Sequence, residues 1–256
     1  MSWRFFIPFT ELPLVQRVVY TSTLLILGLG YAFASLYVFE SHAGRDGDPM
    51  LSVEDLIIAY SGSKTSTHLE SSLKGPMSNM LPAEENLKII DWVRRGASEE
   101  EYKSTTAAIF KKRCVACHNN RNPHLPSLEG YENVKLTAEQ DTGVDIYTLV
   151  RVSHIHLFGL TFIFFIVSTI FSHAYLRREW LKIAIVTTPF VAIALDISSW
   201  YITKVYEPYA WMLIISGAFM GASFGVQFII SLYQMWFFKL PEDAVTASDI
   251  VRHQYD

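Results

Sequence analysis

Apolar positions along the chain gather into four long stretches, and one polar segment separates the first stretch from the other three. Residues 18–39 and 209–238 carry no charge. Residues 152–172 hold only histidines as ionisable groups, and 181–203 hold one acid, Asp196. About 20 largely apolar residues are needed for a helix to cross the hydrocarbon of a bilayer. Backbone groups in that medium must be satisfied within the segment itself. The pattern therefore predicts an all-α chain with four transmembrane helices, the first over 17–39 and the other three within 151–238.

The polar segment, residues 40–150, reads differently. An apolar-periodic run from about Ala83 stops at Gly96, and a second from Tyr102 to Arg113 leads into the two cysteines. Both predict helices, with 96–101 as the linker between them. Proline, glycine and asparagine become frequent after His118, and there is little strand pattern, no repeat and no low-complexity tract. At the start, "WRFFIPFTELPL" predicts an interfacial segment over 1–16. Ala32-Phe33-Ala34 has the small-residue spacing of a signal cleavage site, but the apolar run before it is too long for a signal peptide. We therefore expect an anchor.

Composition agrees. Half of the 256 residues are hydrophobic and mean hydropathy is +0.22. Trp180, Trp200, Tyr201, Tyr209, Trp211 and Trp236 lie where interfacial aromatics belong. The net charge of −4 comes from the 40–150 segment, and the absence of a basic stripe argues against nucleic acid. Two cysteines cannot make a disulfide framework. Arg4, Arg17, Arg177, Arg178 and Lys182 lie on one side of the predicted helices, against Lys204 in the loop between the third and fourth. By the positive-inside rule both termini, including the tail 239–256, are expected in the cytoplasm. The 40–150 segment is then expected on the periplasmic side of a bacterial inner membrane.

The chemistry centres on "KKRCVACHNN", where Cys114, Cys117 and His118 form C-x-x-C-H, the attachment signature of a c-type haem. Thiols at i and i+3 sit one helical turn apart, within reach of the two vinyl groups of a porphyrin, and the following imidazole lies under the iron. A structural zinc site needs two further ligands, which only histidines elsewhere can supply. A redox dithiol normally opens a helix in a βαβ unit, and no such unit is present.

"TTAAIFKKRCVACH" resembles the first helix and attachment motif of the short class I c-type cytochromes. In that family a distal methionine and a closing helix follow the motif, yet no methionine lies between His118 and the next apolar stretch. "GPMSNMLPAEENLKIIDWVRRGA", residues 75–97, is similar to that missing part but comes earlier, as in a circular permutation. The resemblance covers about a quarter of the chain. It implies one covalent haem c, His118 as proximal iron ligand, and Met77 as distal ligand with Met80 as the alternative. Met77 lies 15 residues before Trp92 and Met80 lies 12; the family spacing favours Met77. His68, His124 and His42 are the remaining distal candidates.

Ionisable groups within a membrane span suggest function. His154 and His156 fall in the first turns of the second span, and Asp196 falls near the same end of the third. Residues two apart on a helix point apart, so one histidine at most is expected to face Asp196. This cluster, with His42 beside it, is compatible with a quinol site, a b haem, or a structural hydrogen bond. His173 lies at the opposite interface and has no assigned role. Gly217, Gly221 and Gly225 form a close-packing stripe, and Gly28, Gly30, Ala32 and Ala34 a weaker one. Lys111, Lys112 and Arg113 form a basic rim beside the motif, and Glu99–Glu101 an acidic run. No constellation for bond chemistry stands out.

The sequence thus leads us to expect a tethered monohaem electron-transfer subunit working with other membrane redox subunits or redox proteins. A quinol dehydrogenase-type subunit and an assembly subunit are the alternatives.

Overall fold

The computed structural model describes residues 7–63, 65–123 and 125–241. All regular structure among them is helical, and one isolated bridge joins Thr67 to Gln140. Four helices are long and apolar enough to cross a membrane, so this is a membrane protein. They are α1 (Leu14–His42), α7 (Ile146–Phe171), α8 (Glu179–Thr203) and α9 (Trp211–Trp236). A 3₁₀ turn, Glu207–Ala210, leads into α9. α1 runs past both ends of its expected bounds, and α7 begins six residues before the apolar stretch does, because a helix continues beyond the hydrocarbon while its amides remain paired.

Among the described residues of the polar segment are α2 (Val53–Ser61), α3 (His68–Lys74), a 3₁₀ turn (Ser78–Met80), α4 (Ala83–Arg94), α5 over 99–114, and α6 (Tyr131–Thr137). Local chemistry sets their starts. Ser52 and Asp55 form a reciprocal capping box on α2, and Thr67 Oγ1 caps α3. Gly96 (φ +97°) and Ala97 (φ +50°) end α4 in the left-handed region. The chain re-enters helix at once through the Ser98 cap, so the linker is shorter than expected.

By contact the chain forms two compact units: Met1–Ala34, Val150–Ser199 and Met212–Asp256 make one, Ser35–Leu149 and Trp200–Trp211 the other. The polar segment therefore folds together with the last turns of α1, the last turn of α8 and the turn before α9.

In the first unit, α1 packs on α9 where Gly28 faces the Phe228 ring and Tyr31 stacks on Phe224 at 4.7 Å. Of the expected glycine stripe, Gly221 takes the Tyr31 hydroxyl, while Gly217 and Gly225 face open space. Pro189 has no amide to offer the Ile185 carbonyl. Ser223 Oγ donates to that carbonyl at 2.8 Å, and Gln227 Nε2 donates to it at 3.4 Å and to Ser223 Oγ at 3.0 Å. Ser168 Oγ on α7 donates to Gln227 Oε1 at 2.9 Å, so a buried polar knot ties three helices. Lys182 donates to the Ser172 and Ala174 carbonyls and so caps α7. In the stretch expected at the interface, Phe9 and Leu12 are buried in the protein. Residues 1–6, and 242–256 of the tail, lie outside the described residues.

Candidate functional site

In the second unit, one hydrophobic core gathers the segments carrying the motif and both candidate methionines. Leu69, Leu73, Ile89, Trp92, Phe110 and Val134 are buried at its centre, with Met77 and Cys114 packed against it. Trp92 is fully buried. Its ring meets Phe110 edge-on at 6.1 Å and its Nε1–H donates to the Ser98 carbonyl at 3.0 Å. α4 and α5 are thereby joined at both crossing and linker, and residues 75–97 are folded onto the helix that ends in the motif.

α5 departs from regular α geometry in two wide turns, Tyr102–Thr106 and Phe110–Cys114. Each closes with an i to i−5 hydrogen bond; the second runs from Val115 N–H to the Phe110 carbonyl at 3.1 Å. Wide turns of this kind re-aim the side chains that follow. The second ends on Cys114. The amides of Cys117 and His118 both return to the Cys114 carbonyl, at 3.1 and 2.8 Å. Cys114 is half-buried and Cys117 exposed, both as free thiols, and burial pushes the Cys114 thiol pKa up.

His118 Nδ1 lies 3.0 Å from the Pro126 carbonyl oxygen. A carbonyl only accepts, so Nδ1 is a protonated donor, and in the neutral ring that leaves the lone pair on Nε2. The Leu128 amide in turn donates to the His118 carbonyl at 2.9 Å, fixing the loop that presents Pro126. The site thus offers two thiols one turn apart, an imidazole whose ligating nitrogen is prepared by its other nitrogen, and a thioether. Those are the donors that covalent haem attachment and axial ligation require. Met77 is half-buried on the core, whereas Met80 is 67% exposed. Among the described residues no three or more His, Cys, Asp or Glu side chains converge as a metal cage.

The other candidates are placed as follows. His68 pairs with Asp141 at 2.9 Å. The hydrogen bond to Asp141 raises the His68 pKa. Burial alone would raise the Asp141 pKa, but His68 and the Gly143 amide outweigh it and hold the carboxyl below its ordinary range. His42 Nδ1 donates to the Val38 carbonyl and its ring stacks over Tyr60 at 6.3 Å. His124 lies outside the described residues.

On α7, His154 and His156 are both exposed, and His156 Nδ1 lies 3.0 Å from the Val152 carbonyl. Asp196 accepts from Ser216 Oγ on α9 at 3.1 Å. Ser216 is a partner for the Asp196 carboxylate that the sequence reading passed over. His173 Nδ1 lies 2.8 Å from the Ile7 carbonyl. Of the basic rim, Arg113 is engaged with Glu85 through both Nε, at 2.7 Å, and Nη2, at 3.2 Å. Lys111 and Lys112 are exposed.

Several consequential residues escaped the sequence reading. Ser216, Ser223, Gln227, Ser231 and Gln234 line the buried face of α9, and their steps of three, four and seven are a legible helical period. Lys204 was counted for membrane orientation alone. It donates to the carbonyls of Tyr60, Thr142 and Val144 at 2.9, 3.0 and 2.7 Å.

In comparison with known proteins, residues 143–242 match the model of a family described as a transmembrane helical domain. No curated protein and no solved structure matches the chain. That family description covers α7, α8 and α9 and stops short of the cysteine motif.

Proposed function

We propose that this protein is a membrane-anchored monohaem c-type cytochrome, a subunit that passes single electrons within a respiratory or photosynthetic redox complex. The observation that carries the reading is the hydrogen bond between His118 Nδ1 and the Pro126 carbonyl, directly behind Cys114 and Cys117. It holds Nε2 as a ready axial donor. When bound, haem c supplies reversible one-electron exchange at its iron.

This chain's residues have separable roles. Cys114 and Cys117 anchor the porphyrin edge through thioethers, and His118 supplies the proximal nitrogen. Met77, packed on the same core as Cys114, supplies the distal sulfur, which raises the potential relative to a second histidine. The core around Trp92 and Phe110 keeps water from that face. The order of segments supports a permuted class I arrangement, because the tight Gly96–Ala97 turn joins the two helices that bracket the crevice. The lysine and arginine bias supports a bacterial inner membrane, with the crevice periplasmic and both termini cytoplasmic. Partners are then membrane subunits of the same complex and redox proteins that meet the crevice.

A pyridine haemochrome spectrum of the purified full chain tests this reading. One c-type haem per chain is expected, retained after acid–acetone extraction; absence of a c-type band sinks the proposal. In the ferric protein, Met77→Ala is expected to abolish the methionine–iron charge-transfer band and Met80→Ala to leave it. The opposite result reassigns the distal ligand.

A further inference from the structure

A domain between two membrane helices can hang on flexible strands and swing, or it can be fixed. Three observations within the second unit bear on which applies. First, the ends of the polar segment are clasped together. The Val144 amide donates to the Ala59 carbonyl at 3.0 Å and the Asp141 amide to the Ser66 carbonyl at 3.2 Å. Gly62 (φ +89°) and Gly143 (φ +69°) approach so closely that a Cβ on Gly143 would lie 2.3 Å from the Tyr60 oxygen. Second, the Lys204 ammonium, one residue past α8, takes carbonyls from both sides of that clasp, Tyr60 on one strand and Thr142 and Val144 on the other. An ammonium has three donors, and all three are used. Third, Ser61 Oγ donates to the Thr203 carbonyl, and the Tyr60 ring stacks on Trp200 at 6.2 Å and on His42 at 6.3 Å. The clasp therefore holds the last turns of α1 and α8 as well as its own two strands.

We infer that Lys204 is a positioning residue that fixes the segment bearing Cys114 and His118 at one place against the last turn of α8. Electrons exchanged there cross a set gap, and the partner comes to the crevice rather than the crevice to the partner. The electron-transfer part rests on the cytochrome reading; the fixed position does not. The reason is chemical: backbone carbonyls on both strands converge on one cation, one residue past the end of α8.

The test is a distance distribution by pulsed electron resonance on the full chain in lipid nanodiscs. Ketoxime spin labels on p-acetylphenylalanine at exposed positions 87 and 206 leave the cysteines untouched. The otherwise wild-type chain is expected to give one narrow distance. Lys204→Met is expected to broaden it at least twofold, and Lys204→Arg, which keeps charge and donors, to restore most of the sharpness. A broad distribution without any Lys204 change, or an unchanged width in Lys204→Met, overturns the inference. If Lys204→Met does not fold, Ser61→Ala gives a milder broadening by the same reasoning, and the otherwise wild-type width alone still decides between fixed and swinging. A haemochrome spectrum on each preparation separates the two ideas: a narrow distance without c-type haem sinks the cytochrome reading and leaves the fixed position standing.

Discussion

Replacing Trp92 probes the joint between α4 and α5. The side chain is fully buried, so Trp92→Ala removes a large ring from a closed core. Such truncations cost about 3–5 kcal/mol. That range already includes the edge-on contact with Phe110, itself worth about 1 kcal/mol. Trp92→Phe keeps a ring against Phe110 and Tyr102 but strands the Ser98 carbonyl that now accepts from Nε1. A lost hydrogen bond of this kind costs about 1 kcal/mol, and the smaller ring adds a similar amount.

Hydrogen exchange read by mass spectrometry on peptides covering 83–114 reports this unit without interference from the membrane helices. At about 1.4 kcal/mol per tenfold, protection should fall roughly a thousandfold in Trp92→Ala and about thirtyfold in Trp92→Phe. A fall below tenfold in Trp92→Ala refutes the idea that α4 and α5 are locked by this residue. Equal falls in the two variants refute the separate role given to the indole N–H.

Other consequences can be checked in the same preparation. Gly143→Ala places a Cβ 2.3 Å from the Tyr60 oxygen at a φ of +69°; a loss above about 2 kcal/mol in thermal stability is expected, and wild-type behaviour contradicts the close approach. Gln227→Leu should cost about 1–3 kcal/mol in a detergent unfolding titration, because Ser168 Oγ loses its acceptor and the Ile185 carbonyl loses one of its two donors. In a Pro189→Ala background the cost should shrink, since the helix then supplies the Ile185 carbonyl with its own amide; strict additivity speaks against the knot. The pH dependence follows from the His68–Asp141 pair. The raised His68 pKa contributes stability that is full below its ordinary 6.5 and is lost as pH rises through the higher folded value. The lowered Asp141 pKa contributes stability that is full above its ordinary 3.8 and is lost as pH falls through the lower folded value. A plateau between these limits is expected in the thermal midpoint, and His68→Gln should flatten its alkaline edge; an unchanged edge assigns that limb to another group.

Sequence by itself determined the features that depend on runs and short spacings. Four uninterrupted apolar stretches must be helices in hydrocarbon, whatever they pack against, and C-x-x-C-H needs only one helical turn to bring its donors together. Gly96 likewise marks the end of α4, since the turn there requires a left-handed backbone. Tertiary structure decided what depends on partners distant in the chain. Lys204 looks like any loop lysine until carbonyls from residues 60, 142 and 144 converge on it. Nothing near Asp196 in the chain foretells Ser216, 20 residues on, which α9 brings to its carboxylate. Met77 and Met80 are three residues apart and chemically alike, but only the fold presses one of them onto the core and leaves the other largely exposed. Short-range geometry is written in residue order; long-range pairing is set by which faces meet when the cores close, and that is a property of the whole chain.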